Sequence, residues 1–308
     1  MTAAKARHSE LVAWSTRAGA KGLRKQNGCA AATPQTEDYH AVMTKVGEMA
    51  SASLPLERYY TERGPKILTL ESTSVCNLRC VMCPHAVGKV ARPKHLPVDV
   101  VEKLRGALST VETVQLHGIG EPLFSPAFWR TLDRLSDSTA EFVSFNSNFT
   151  ILKDEQIEGL LKSRLHMVNV SLDAATPETY AKIRGYDFDK VIDNLRRFLA
   201  QRDNLGLKIP KVYINMTLML ANIDEASAFV RMGHELGVDK VCFWHLNSGS
   251  DYSIDRDGWT FDYKDQMLVE HPALSNRRIR EALTQAKALG MAVYLDANKE
   301  VYFEEPVE

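Results

Sequence analysis

The stretch Ile67-Leu-Thr-Leu-Glu-Ser-Thr-Ser-Val75-Cys76-Asn-Leu-Arg-Cys80-Val-Met-Cys83 holds two signals side by side. Its first part is apolar and strand-like. Its second part places three cysteines at C-x3-C-x2-C spacing. Three thiols this close suit a soft metal centre, and three rather than four leave one iron of a 4Fe-4S cubane open. An open iron can bind a small ligand and pass it an electron. Zinc competes for the same residues, since His85 can supply the fourth ligand that a closed zinc site wants.

From residue 67 onward, apolar β-branched runs alternate with amphipathic stretches, the pattern of a parallel α/β sheet. Strands are predicted at 67–72, 113–117, 142–146, 167–172, 213–218 and 241–245. Helices are predicted at 98–108, 126–135, 154–161, 177–201 and 225–236. Asp154 and Pro177 read as helix starts and Gly237 as a helix stop. Residues 247–265 read as a polar loop, 276–289 as a helix and 291–296 as a short closing strand. Residues 1–65 lack this rhythm, with helices expected near 9–20 and 38–53 and a break at 33–36. The expected organisation is therefore a helical appendage over 1–65, an α/β barrel over 66–250 and a closing loop, helix and strand over 251–308.

At 308 residues, 44% hydrophobic and 25% charged, the chain can build one large domain with a proper core. A formal net charge of −1 gives no field that points to nucleic acid. Five cysteines, three of them clustered, do not form a disulfide framework and belong in a reducing cytoplasm. No apolar run reaches the length of a membrane span, so a soluble, intracellular protein is expected. The basic, Ala-rich start (Lys5, Arg7, Arg17, Lys21, Arg24, Lys25) reads either as a transit peptide or as a solvated arm.

Two further motifs stand in order after the cysteines. Gly118-Ile-Gly120-Glu121-Pro122 follows the second strand. Val168-Asn-Val-Ser171-Leu-Asp173-Ala-Ala-Thr-Pro-Glu-Thr-Tyr-Ala-Lys-Ile-Arg184-Gly185 covers the fourth strand and the helix after it. With them, residues 71–184 resemble the radical S-adenosylmethionine (SAM) superfamily, and the last two motifs look most like its SPASM/Twitch branch, whose members modify peptides, sugars and cyclitols. The resemblance implies a partial (β/α)6 barrel with its chemistry at the C-terminal strand ends. It implies a 4Fe-4S cluster on Cys76, Cys80 and Cys83, with SAM chelated at the open iron and cleaved to a 5′-deoxyadenosyl radical that takes hydrogen from substrate. Flavodoxin or ferredoxin is the expected electron donor.

By the same resemblance, Gly118, Gly120 and Glu121 run along the methionine end of SAM, where glycine lets backbone approach a ligand. Ser171 meets the ribose or the carboxylate, and Arg184 grips the carboxylate in its planar fork. Asn146 and Asn148 end the third strand, where they serve either the ribose or the turn. Asp173 reads as a helix cap, and Met82 as an adenine neighbour or core filler.

Substrate contacts are expected from His85, Tyr213, Asn215, Trp244, His245 and Asn247, with His245 the first choice. Lys89, Arg92, Lys94 and His95 make either a solvated face or an anion site. Cys29 and Cys242 read as small buried or incidental residues. SPASM relatives carry a cysteine-rich extension with further clusters, whereas Cys242 alone follows Cys83 here. A second cluster is not available from these residues, which favours redox-neutral outcomes: decarboxylation, elimination or epimerisation. The leading expectation is a lyase-type enzyme acting on a sugar, nucleoside or cyclitol, in the manner of the cytosylglucuronate decarboxylases of nucleoside-antibiotic biosynthesis. A peptide-modifying enzyme is the alternative, and a structural Fe–S or zinc protein is the alternative from another class.

Overall fold

The computed structural model describes residues 60–61, 64–246 and 250–296. The helices expected at 9–20 and 38–53, the break at 33–36, Cys29 and Asn247 lie outside the described residues. The chain divides into two compact units, Met1–Glu62 and Arg63–Glu308, and every element named below belongs to the second.

Strands and helices alternate as the periodicity predicts. In order they are β1 (Ile67–Thr69), α1 (Val98–Lys103), α2 (Arg105–Thr110), β2 (Thr113–Leu116), α3 (Pro126–Leu135), β3 (Phe142–Ser147), α4 (Asp154–Lys162) and β4 (Met167–Ser171). Then come α5 (Pro177–Arg184), α6 (Phe188–Asn204), β5 (Lys211–Leu218), α7 (Ala226–Leu236), β6 (Lys240–His245), β7 (Ser253–Arg256), β8 (Trp259–Asp262), α8 (Pro272–Leu289) and β9 (Val293–Leu295). One seven-stranded sheet, ordered β9-β6-β5-β4-β3-β2-β1, is parallel throughout. Flanked by helices, it forms a partial (β/α)6 barrel, with β9 adding a seventh strand beside β6.

Strand alternation assigns the two faces. Ile214 and Val241 lie against Gly233 of α7, where an added Cβ would stand 2.7 Å from Val241 Cγ2. Phe145 packs on Phe128 of α3, and Phe243 on Phe229 of α7. These residues form the helix-facing side and the main core. Their neighbours along each strand face the barrel lumen: Asn146 on β3, Asn169 and Ser171 on β4, Tyr213 and Asn215 on β5, Lys240, Cys242 and Trp244 on β6.

Three expectations need correction. The single helix at 177–201 is two helices, parted at Gly185 (φ 70°) and restarted by Asp187, which accepts from Lys190 N–H at the N-terminus of α6. The helix at 98–108 likewise divides at Leu104, between α1 and α2. The polar loop at 247–265 contains the antiparallel β7–β8 hairpin. Its two-residue turn, Asp257-Gly258, has φ of 51° and 79°, the pairing that Asp-Gly adopts because both positions need positive φ.

Candidate active site

The cysteine loop leaves β1 and is pinned from both sides before it reaches Cys76. On one side, Leu96 N–H donates to Ser72 O (2.9 Å) and Ser74 N–H to Lys94 O (3.0 Å). On the other, Glu121 N–H donates to Val75 O (2.8 Å). This close approach requires glycine at 120, because a Cβ there would stand 2.2 Å from Thr73 O and 2.7 Å from Val75 O, both backbone atoms. At Gly118, a Cβ would meet Glu71 Cγ at 2.3 Å. The glycines therefore serve the protein's own chain as well as facing the cavity. Gly120→Ala is expected to destabilise the fold by at least about 1–3 kcal/mol and to lower iron loading. Thermal unfolding and iron content after reconstitution measure the two effects.

Glu121 is the carboxylate that ties this loop to the end of β3. It is fully enclosed and accepts from Leu123 N–H (3.2 Å), Ser147 Oγ (2.7 Å) and Asn148 N–H (2.7 Å). Burial pushes its pKa up to about 7, against the pull of those three donors and of Arg184. Between the ordinary value of 4.5 and about 7, the folded chain keeps a proton that the unfolded chain has lost. Stability from this group therefore falls as pH rises through that window. Relative to Glu121→Gln, which cannot ionise, the wild-type apoprotein should lose roughly 2–3 kcal/mol between pH 5 and pH 8, read from urea unfolding at both values.

The three clustered thiols are unpaired, Cys80 buried and Cys76 and Cys83 half-buried. Leu78 N–H (3.4 Å) and Asn148 Nδ2 (3.8 Å) point at Cys76 Sγ, and the backbone N–H of His85 at Cys83. Burial raises all three pKa values, that of Cys80 to about 11, with Arg184 opposing the shift. Buried thiols of this kind are poor free nucleophiles, whereas a bound metal centre deprotonates its cysteine ligands. Three unpaired thiols on one loop, two of them with N–H donors at the sulfur, fit an iron–sulfur cluster. They open onto a cavity of about 320 Å3. Every residue expected to hold the cluster or SAM lines this one cavity, together with Met82 and Asn148.

Arg184 reaches the cavity under tight control. Its Nε donates to Asp173 Oδ2 at 2.8 Å, and its Nη2 donates to the same oxygen. Asp173 Oδ1 accepts from Thr217 N–H (2.6 Å), and Asn222 Nδ2 donates to Asp173 O (2.9 Å). Burial works against the guanidinium charge, but Asp173, Cys80 and Tyr180 together outweigh burial and hold the pKa above the ordinary arginine value. Asp173 is therefore no helix cap. Thr176 caps α5 by accepting from Thr179 N–H, and Asp173, held at φ 63°, anchors Arg184. Asn148 does serve the turn, its Oδ1 accepting from Thr150 N–H and Oγ1, while its Nδ2 also reaches Asn77 and Cys76.

The β7–β8 hairpin, missed in the sequence, latches the cysteine loop. Arg256 Nη1 donates to Ile183 O (3.1 Å) and its Nη2 to Arg79 O, so one guanidinium joins the loop to the end of α5. Tyr252 OH donates to Val81 O (2.9 Å). A satellite core of Val81, Ile183, Met219, Leu246, Phe261 and Tyr263 fills the space between.

The residues expected to meet substrate do not form one group. His85 is buried in the turn after Cys83, with Nε2 unpartnered among the described residues. Tyr213 lies under Lys240 Nζ (4.9 Å), the first residue of β6, toward the strand end away from the cysteine loop. His245 shares its strand face with Val241 and Phe243, which pack toward α7 and not into the lumen. Asn215 and Trp244 face the lumen. Lys89, Arg92, Lys94 and His95 are exposed, as a solvated face requires.

The profile of the radical SAM superfamily matches residues 70–232, and the chain belongs to that superfamily. Its members use a 4Fe-4S cluster and SAM. The chain is similar to a GTP 3′,8-cyclase of Clostridium botulinum strain Hall (26% identity over 209 residues, 64% of this chain and 62% of the relative). It is also similar to a GTP 3′,8-cyclase of Chlorobaculum tepidum (34% over 195 residues, 60% and 55%). It thus spans about three fifths of the length of such relatives. Among solved structures, Streptococcus suis SuiB bound to S-adenosylmethionine shares the fold at TM-score 0.58 and 18% identity, covering 87% of this chain and 57% of that one. The anSMEcpe enzyme with AdoMet and a Cp18Cys peptide does so at 0.56 and 15%, covering 74% and 62%. Among the described residues, no helix is long and apolar enough to cross a membrane.

Proposed function

We propose that this protein is a radical SAM enzyme acting on a small polar metabolite: a sugar, nucleoside or cyclitol. The observation that carries the reading is the convergence of three unpaired thiols, the glycine loop, Asn146, Ser171 and Arg184 on one cavity. Cys76, Cys80 and Cys83 hold the cluster. When bound, cluster and SAM together supply reductive cleavage of the sulfonium C–S bond, giving methionine and a 5′-deoxyadenosyl radical that removes a substrate hydrogen. The chain's own residues position and exclude. Arg184, fixed by Asp173, presents a guanidinium to the SAM carboxylate. Gly118 and Gly120 let their loop close against Glu71 and the Thr73 and Val75 backbone while lining the cavity, Ser171 faces the ribose or the carboxylate, and Asn146 faces the ribose.

A redox-neutral outcome, a decarboxylation or elimination, is the proposed reaction type. Relatives named for cyclising GTP, a nucleotide, support a nucleoside-like substrate over a peptide. Reduced, reconstituted protein incubated with SAM and deuterated guanosine or glucose tests the reading. Deuterium in 5′-deoxyadenosine above the no-substrate control supports it. Transfer only from peptides carrying deuterium would favour the peptide-modifying alternative.

A further inference from the structure

The cysteine loop carries positive charge that the cavity does not use. From Ser72 to Val98 the chain holds Arg79, Lys89, Arg92 and Lys94 and no Asp or Glu, in a sequence whose 38 basic and 39 acidic residues nearly cancel. It is the longest stretch without an acidic residue among the described residues. All four cations are exposed, and none enters an ion pair among the described residues. The carboxylates at either end are engaged elsewhere: Glu71 Oε1 accepts from Ile119 N–H (2.7 Å), and Asp99 pairs with Lys103 Nζ (2.9 Å). On the neighbouring hairpin, Asp251 pairs with Lys264 Nζ (2.8 Å) and Asp255 accepts from Thr260 Oγ1 (2.6 Å), which leaves Asp257 at the turn.

Backbone bonds hold these charges around the three thiols. Arg79 directly precedes Cys80, and its Nη1 donates to Cys76 O (3.0 Å) and Leu78 O (2.8 Å). Lys89 N–H donates to Pro84 O (3.1 Å), one residue after Cys83, and Lys94 O accepts from Ser74 N–H (3.0 Å), two residues before Cys76. Lys89 Nζ also stands 5.3 Å from the centroid of the Tyr252 ring, whose hydroxyl holds Val81 O. The Arg79 charge pulls the Cys83 pKa down against its burial, so the field of this face reaches the thiols. Yet none of the four cations lines the cavity. They lie outside it, and a macromolecule can meet them while the cavity is filled. Ala91, Pro93 and Val98 are exposed beside them and add apolar surface.

We propose that this face docks a small acidic protein carrying one low-potential electron, with Lys89, Arg92 and Lys94 meeting its carboxylates. The inference rests on the radical SAM reading, in which SAM cleavage consumes an electron from outside the chain. One electron leaves the reduced carrier for the oxidised cluster, and no covalent bond forms between the two proteins. Electron transfer falls steeply with distance, so its entry face must lie against the loop that holds the centre. Redox encounters use small, transient interfaces, and a few exposed cations suffice to steer them. Nucleic acid is the competing occupant of a basic face, but four cations on a chain of net charge −1 make a slight footprint for it.

The test compares the reconstituted holoprotein with Lys89→Gln/Arg92→Gln/Lys94→Gln. A control, Lys208→Gln/Arg277→Gln/Lys287→Gln, makes the same charge change at exposed residues before β5 and on α8. The probes are an acidic flavodoxin and an acidic ferredoxin, each reduced beforehand, with dithionite as the small-molecule donor. Cluster reduction is followed by stopped-flow absorbance. With at least one carrier, the wild-type rate should fall about tenfold or more between about 20 and about 300 mM salt. At low salt the loop variant should be about tenfold slower than wild type and control, and nearly indifferent to salt. Its reduction by dithionite and its SAM affinity should stay at the wild-type level. Carbodiimide coupling of the oxidised carrier to the wild type should join carboxylates to Lys89 or Lys94, not to Lys208 or Lys287, and this readout needs no variant to fold. A loop variant reduced at the wild-type rate by both carriers, cross-links only away from the face, or a cluster that dithionite reduces and neither carrier does overturns the proposal. So does a short single-stranded RNA that binds through these residues when neither carrier couples. Failure of the dithionite-reduced protein to make 5′-deoxyadenosine would instead sink the radical SAM reading, with the cross-links and reduction rates still judging the face.

Discussion

Arg184→Ala is expected to weaken SAM binding by about 10- to 100-fold and to destabilise the fold by roughly 3–5 kcal/mol. Both effects come from one ion pair. The Asp173 side chain is only 1% exposed, so removing the guanidinium leaves a buried carboxylate that still accepts from the backbone N–H of Thr217. Arg184→Lys keeps the charge but loses the fork that presents one face to Asp173 and another to the cavity. It should recover part of the stability and less of the SAM affinity. The double variant Arg184→Ala/Asp173→Ala separates the roles. It should recover stability relative to Arg184→Ala, because no unpaired charge remains, but should not recover SAM binding. Urea unfolding and equilibrium dialysis with SAM give the two readouts. Full recovery of SAM affinity in the double variant would remove Arg184 from the cavity's binding groups and leave it a structural role.

Changing any one of Cys76, Cys80 or Cys83 to alanine should abolish stable cluster loading and all SAM-dependent activity. The cavity offers three thiols on one loop, and a cluster on two ligands has no comparable hold. The same change at Cys242, buried on β6 away from that cavity, should leave iron content at the wild-type level. Iron and acid-labile sulfide measured after anaerobic reconstitution compare the four variants. Full loading of a Cys80 variant would show that the loop does not ligate as a unit.

The strand–helix frame was legible because both faces of the buried strands are marked locally. Runs such as Met-Val-Asn-Val-Ser over 167–171 read as strand from composition, and Pro177 reads as a helix start because its ring suits the first helical turn. The cavity-lining residues were legible because they sit in short motifs directly after those strands. What stayed hidden depends on register. Asn169 reads as a polar residue between two valines, and its bond to Asn146 emerges only from the β3–β4 register. His245 misled for the converse reason. Proximity to a strand end says nothing about the face, and alternation from Phe243 turns it toward the helices. The Arg256 latch crosses 177 positions to reach Arg79 O, a contact with no local signature. The break at Gly185 had its cue in the Gly followed by Asp187, outweighed there by a long amphipathic pattern.

The most direct test of the central claim is an anaerobic assay of reconstituted, dithionite-reduced protein with SAM, following 5′-deoxyadenosine by chromatography beside Cys80→Ala. Formation of 5′-deoxyadenosine by the wild type and none by the variant is the predicted result. A wild-type protein that takes up iron yet never cleaves SAM, with nucleosides and sugars supplied, would contradict it.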